Sequence, residues 1–358
     1  MEYNSKIMLA LVGAILITSG CMNGGSGEAS TEAVSINEFS ITPNPSPGGE
    51  QATIQMQLEN AGNAVATDVR ADLFGPTISS DDARTWNASE GTTMEFNDLQ
   101  PAADNQPAIP QQDSLTFVTP ELDDGRDLPY DFNAQLFYGY ETTASTSLQV
   151  MSQERYQESG SSQQQTSASN SDGPIQIDVQ GSTPIVFQSE QGERTQDLCI
   201  TVTNRGNGLP FNPGALPAES SSDIEDDDRN NIELEIEDVG NIIFTPQDDG
   251  EHSNDDESGV VTTVDIIGNE GFHCFTMTAA SLGDVTTLEQ TASIEIEARY
   301  GYREETSTSV TVEGRGSGAS VPREDIDSSE DSSDTTEDTS EDENEDDGAA
   351  GSGPGAGQ

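Results

Sequence analysis

Tyr138-Gly139-Tyr140-Glu141-Thr142-Thr143-Ala144-Ser145-Thr146-Ser147-Leu148-Gln149-Val150 returns later in the chain as Tyr300-Gly301-Tyr302-Arg303-Glu304-Glu305-Thr306-Ser307-Thr308-Ser309-Val310-Thr311-Val312. The spacing inside the two copies is identical. A second pair, Asn60-Ala61-Gly62-Asn63 and Asn204-Arg205-Gly206-Asn207, falls early in each copy. Two matches at corresponding places predict an internal repeat. Each Tyr-Gly-Tyr reads as a strand end in a terminal hairpin. There glycine would supply a positive φ or a bulge, and the rings would cap the edge. The alternative is an exposed aromatic pair that meets a partner.

Working outward, the chain is patterned for strands. Thr53–Glu59 alternates strictly, with Ile54, Met56 and Leu58 on one face. A turn cluster, Pro43-Asn44-Pro45-Ser46-Pro47-Gly48-Gly49, precedes it. Further strands are expected at Val69–Leu73, Thr92–Phe96, Ser114–Val118, Tyr130–Tyr138 and Thr146–Val150. In the second copy they are expected at Leu198–Val202, Ile232–Glu237, Val260–Ile267, Phe272–Ala279 and Ile294–Tyr300. No helix-length apolar periodicity appears. About seven short strands per copy predict an all-β fold of two tandem immunoglobulin-like β-sandwiches, over 34–150 and 174–314. Residues 151–173 are rich in Gln and Ser and read as a linker, the alternative being a long surface loop within one domain.

Composition bounds the setting. The chain has 358 residues, 67 acidic against 12 basic, and a net charge of −55. Lys6 is the only lysine. Self-repulsion of that size favours expansion, and concentrated salt screens it within ~3 Å at 1 M. No basic patch is present to displace phosphate counterions, so nucleic acid is not an expected partner. Residues 315–358 alternate Asp and Glu with Ser and Thr and read as a disordered acidic tail.

The N-terminus carries the one long apolar run, Ile7–Ile17, after Lys6 and before Thr18-Ser19-Gly20-Cys21. Eleven residues fit a secretory signal and fall short of the ~20 needed to span a bilayer. Thr18–Cys21 resembles the lipobox of secreted lipoproteins, although Thr18 stands where leucine is usual. The resemblance implies a signal peptide over 1–20 and lipidation at Cys21, which would tie the chain to the extracellular face of the membrane. Residues 21–33 would form a flexible tether. An unlipidated or uncleaved signal is the alternative. An excess of acidic residues with almost no lysine is similar to the proteins of halophilic archaea.

The run Pro47-Gly48-Gly49, an alternating strand, Leu58-Glu59-Asn60-Ala61-Gly62-Asn63, then Ala66-Thr67-Asp68-Val69 resembles the cell-adhesion-related (CARDB) immunoglobulin-like domain of bacterial and archaeal surface proteins. In such sandwiches the second and fifth strands are neighbours. Alternation places Cys199 and Cys274 outward on those two strands, so a Cys199–Cys274 disulfide is expected in an oxidising compartment, the alternative being two free thiols. In the first copy Gln55 stands at the matching position.

Sites of chemistry are otherwise sparse. Asp226-Asp227-Asp228-Arg229-Asn230 with Glu237 imitates calcium-loop spacing, but Asn231 replaces the required glycine. It reads as a solvated acidic loop, and no metal or cofactor is expected. His252 and His273 have no Cys/His metal spacing. Neither a nucleophile elbow nor a phosphate loop is present. Asn87-Ala88-Ser89 is the one N-glycosylation sequon, expected in a loop. The reading is a non-enzymatic cell-surface lipoprotein that acts as an adhesion, spacer or protein-binding module, with surface-layer or other envelope proteins as partners. The alternative is an accessory lipoprotein that binds glycans or divalent cations.

Overall fold

The computed structural model describes residues 31–314, apart from 79–82, 89–90, 104–105, 161, 163, 188–194, 216–223, 238, 241, 248–258 and 280–288. The expected signal, Cys21, most of the tether, the acidic tail and His252 lie outside the described residues.

The first repeat contains β1 (Val34–Thr42), β2 (Gln51–Asn60), β3 (Thr67–Phe74), β4 (Asn87–Ala88), β5 (Thr93–Glu95), β6 (Gln111–Val118) and β7 (Asp127–Ser152). Then come α1 (Gln153–Ser159), β8 (Ser169–Asn170), β9 (Ile175–Gln180) and β10 (Ile185–Phe187). The rest of the second repeat is β11 (Thr195–Asn204), β12 (Leu209–Phe211), β13 (Asn231–Glu237), β14 (Ile242–Pro246), β15 (Gly259–Asp265), β16 (Glu270–Ala279) and β17 (Glu289–Glu313).

The chain is all-β, as expected. One four-stranded sheet has the order β1-β2-β6-β4 and its counterpart in the second repeat the order β9-β11-β16-β14. Each follows the A-B-E-D order of an immunoglobulin sandwich. The facing sheets supply C and F as β3 and β7, and as β13 and β17, with β5 and β15 added at the outer edges. Strands form where alternation lets one face be buried. Ile54, Met56 and Leu58 of β2 are fully buried, as are Ile232, Leu234 and Ile236 of β13.

The last strand of each sandwich departs from expectation. No terminal hairpin forms. β7 and β17 run straight through Tyr-Gly-Tyr and pair antiparallel from Asp127↔Glu313 to Met151↔Glu289. At ~3.4 Å per residue that ladder is roughly 80 Å long. Its centre is Gly139 paired with Gly301, its own equivalent in the other repeat. The first half of β7 therefore lies beside the second half of β17. The place of strand G in each sandwich is filled by the other repeat. Val310 and Val312 are buried next to Tyr130 and Leu128, while Leu148 and Val150 are buried next to Ala292 and Gln290.

The two repeats are thus welded through one ten-stranded sheet rather than strung in tandem, and residues 31–314 fall within a single compact unit. The reason is visible in the crossing segments. Glu141–Ala144 and Arg303–Thr306 contain no Gly, Pro or Asn to turn the chain back. Among the described residues of 151–173, expected as a linker, much is also folded. Ser152 caps α1, β8 pairs with β7, and β10 runs parallel to the end of β7.

Candidate functional site

The waist of the molecule holds the repeated motifs. Tyr138 and Tyr140 face Tyr302 and Tyr300 across the ladder, all four pointing inward. Ring centroids are 5.7 Å apart for Tyr138–Tyr302 and 6.2 Å for Tyr140–Tyr300. The glycine between them does not adopt a positive φ in either copy. At Gly301 the cause is close approach, since an added Cβ would collide with the Phe211 ring. The tyrosines therefore join two sandwiches instead of capping the edge of one.

Each Asn-x-Gly turn is locked by one of these rings. The backbone N–H groups of Asn63 and Ala64 both donate to the Tyr140 hydroxyl at 3.1 Å, and that hydroxyl donates to the carbonyl of Asp172. In the second copy Gly208 N–H donates to the Tyr302 hydroxyl at 3.0 Å, which donates to Asn204 Oδ1. A Cβ on Gly62 or Gly206 would strike the Tyr140 or the Tyr302 hydroxyl. The two motifs of each repeat are thus two sides of one contact. Tyr138 donates to Glu304 at 2.7 Å, and Tyr300 shares a 2.8 Å hydrogen bond with Thr142. Burial raises all four phenols above their ordinary value, Tyr302 to about 12, so they remain donors at any working pH. Burial likewise raises the Glu304 carboxyl.

The outer face of the shared sheet differs from one side of the waist to the other. In the first repeat Arg70 lies 5.5 Å from the Phe137 ring centroid and pairs with Asp72 at 3.1 Å. Phe137 packs edge-on to Phe211 at 6.4 Å, in a small cluster with Ile224. The equivalent positions in the second repeat are Glu233, Glu235 and Arg299. Arg299 contacts Glu235 at 2.8 Å, Glu233 at 3.4 Å, and Glu297 through Nε. Burial, then the nearby Glu141 carboxylate, push Glu297 up to about 7 against the partial relief from Arg299.

The expected sites are distributed rather than gathered. Cys199 and Cys274 oppose one another on β11 and β16 and form a disulfide, with Cα atoms 4.0 Å apart. Both sit on the outward face, half-buried. Asn87 lies in edge strand β4, paired with Val118, rather than in a loop, and is half-buried. Asp226 pairs with Arg229 at 2.9 Å, so the chain's own cation occupies that acidic turn. Glu237 stands at the far end of β13, roughly 20 Å from its start. His273 is buried in the core of the second sandwich against Phe275. Among the described residues no three His, Cys, Asp or Glu side chains are grouped to hold a metal ion. Two grooves flank Thr166: one of about 270 Å³ touching Leu148, Ile185 and Leu198, and one of about 440 Å³ lined by Ser145, Ser147, Ser167 and Ser293.

Sequence reasoning did not find the roles of Phe211, Thr142 and Glu304. The signal for Phe211 was its place seven residues after Asn204, matching Thr67 after Asn60.

No protein-family model and no curated protein matches the chain. Among solved structures, it is similar to the secreted serine protease VesC from Vibrio cholerae at 9% identity and TM-score 0.17, covering 71% of this chain. The chain spans 48% of that protease's length. It is also similar to the CsuC–CsuE chaperone–tip adhesion subunit complex from Acinetobacter baumannii Csu pili (9% identity, TM-score 0.18, 72% of this chain and 91% of that one). A third is the CupB6 tip adhesin from Pseudomonas aeruginosa (10% identity, TM-score 0.16, 80% and 99%). Similarity this low assigns no activity to the chain.

Proposed function

We propose that the chain is a non-enzymatic cell-surface protein, held by lipid on Cys21, that serves as a rigid spacer or binding module for envelope proteins. The observation that carries this reading is the β7–β17 ladder. It makes two sandwiches into one elongated body with broad polar faces and a fixed separation between its ends. Two further features support it. The Cys199–Cys274 disulfide suits an oxidising compartment. The short apolar run before Cys21 suits export. Val34 pairs with Asn60, beside the Tyr140-locked turn, so a tether at the N-terminus would meet the body at its waist. The glycan or cation reading has less support, because Arg229 and Arg299 already answer the acidic groups nearest them.

Fractionation of cells expressing the chain and its Cys21→Ser variant tests the location. The chain is expected in the membrane fraction, open to protease added to intact cells, with the variant released to the medium. Recovery of both from the soluble cytosol would overturn the reading. Crosslinking on intact cells, followed by pull-down, would identify the envelope partner.

A further inference from the structure

We propose that the chain also recognises a second copy of itself, by exchanging its long strands between molecules. The argument starts from the waist. Neither repeat completes its own sandwich, because each lacks its own strand G and borrows the other's. The pairing is isologous: Gly139 meets its equivalent Gly301, and each repeat gives what it receives. A contact of that kind closes equally well between two chains, β7 of one with β17 of the other and the reverse, so both sites are satisfied and no edge is left open. The crossing segments Glu141–Ala144 and Arg303–Thr306 favour the straight form by their lack of turn residues. The inner tyrosines, and the Tyr138–Glu304 and Tyr300–Thr142 hydrogen bonds, would be regenerated unchanged.

The chain between the repeats permits it. Residues 153–174 reach roughly 70 Å when extended. They are held by the two-residue pairings of β8 and of Gln164–Gln165, by the hydrogen bonds of buried Thr166 to the Val179 and Gly181 carbonyls, by the Asp172 carbonyl on the Tyr140 hydroxyl, by the Arg155–Glu289 ion pair, and by α1, which buries no residue. Releasing this crossover gives up those polar contacts but no aromatic or branched aliphatic core side chain, and it lets the second repeat leave its own β7 for that of another molecule. The balance is set by concentration. Within one chain the partner repeat is present at an effective concentration on the order of 1 mM. Exchange therefore grows as the chain itself approaches that value, as it does when copies are crowded on a surface. Because it follows from the pairing alone, the inference does not depend on Cys21 or on the identity of any envelope partner.

Ser147 and Ser293 are exposed and directly opposed in the ladder, which makes them reporters of who pairs with whom. Full chains with Cys21→Ser and either Ser147→Cys or Ser293→Cys are unfolded and refolded together in concentrated salt, with the native disulfide kept, and joined with a short bismaleimide. Mixed refolding is expected to give a covalent dimer whose share rises roughly tenfold between ~50 and ~500 µM. Either variant refolded alone should stay at a low background. The double variant, Ser147→Cys with Ser293→Cys, is expected to close within one chain at low concentration. Mixed dimers no more abundant than the single-variant background, with the double variant closing normally, would overturn the proposal. Failure of the double variant to close would overturn it as well, since the straight pairing on which it rests would then be absent.

Discussion

The two repeats share a plan and differ in what they put on it. On the inner face they match: an Asn-x-Gly turn, a tyrosine hydroxyl against its backbone, and a paired tyrosine at the waist. On the outer face, Arg70, Asp72, Gln135 and Phe137 in the first repeat become Glu233, Glu235, Glu297 and Arg299 in the second. The difference teaches which contacts the exchange demands. The inner set is needed twice because each sandwich is completed by the other. The outer set is free to diverge, and on its four-stranded sheet the second repeat carries a disulfide where the first has Gln55.

That comparison can be broken at the disulfide first. Cys199→Ser with Cys274→Ser opens a loop spanning a 75-residue separation, worth about 4 kcal/mol on the chain-entropy account. Because the sheet is shared, calorimetry is expected to show one lowered transition for the whole body. Two transitions, with the first repeat unmoved, would mean that the repeats are energetically separate.

Gly301→Ala comes next. Its methyl group meets the Phe211 ring, and overpacking of this kind costs about 1–3 kcal/mol. Pairing it with Phe211→Ala should recover part of the loss in denaturant unfolding, which would tie the cost to that contact.

Tyr140→Phe and Tyr302→Phe sharpen the symmetry. Each removes the acceptor of backbone N–H groups, two at Tyr140 and one at Tyr302. Losses of about 1–2 kcal/mol are expected, larger for Tyr140. Equal losses would show that solvent replaces one of the Tyr140 bonds.

The smallest effect is a pH dependence at Glu297. Glu297 holds its proton up to about 7 in the folded state, against 4.5 ordinarily. The folded chain therefore binds more protons than the unfolded chain between those values, and stability falls as pH rises through that window. A partly exposed carboxylate limits the change to under ~1 kcal/mol. Glu297→Gln should reduce the slope between pH 5 and 8, with the remainder from buried Glu304, measured by unfolding midpoints at constant salt.

Much of the fold was legible because strand burial is local. Ile54, Met56, Leu58 and Ile232, Leu234, Ile236 announce their buried faces by alternation alone. The disulfide was legible too, since two outward cysteines on neighbouring strands have few other partners. The misreadings arose where the choice was not local. Tyr-Gly-Tyr suggested a strand end with a positive φ or a bulge, yet glycine is present at Gly301 for the approach of Phe211, a residue distant in the chain. A linker was expected at 151–173 because Gln and Ser bury little, but the adjacent edge of β7 supplies backbone partners.

By itself, the sequence determined an acidic, all-β chain with a duplicated plan and the facing of its strands, because apolar period and turn chemistry act over a few residues. Only the tertiary structure decided which repeat completes which sandwich. A strand folded back and a strand passed across bury the same inner side chains and make the same ladder hydrogen bonds, so local pattern cannot separate them. What separates them is a partner repeat held close enough to receive the strand, a contact that no stretch of a few residues encodes.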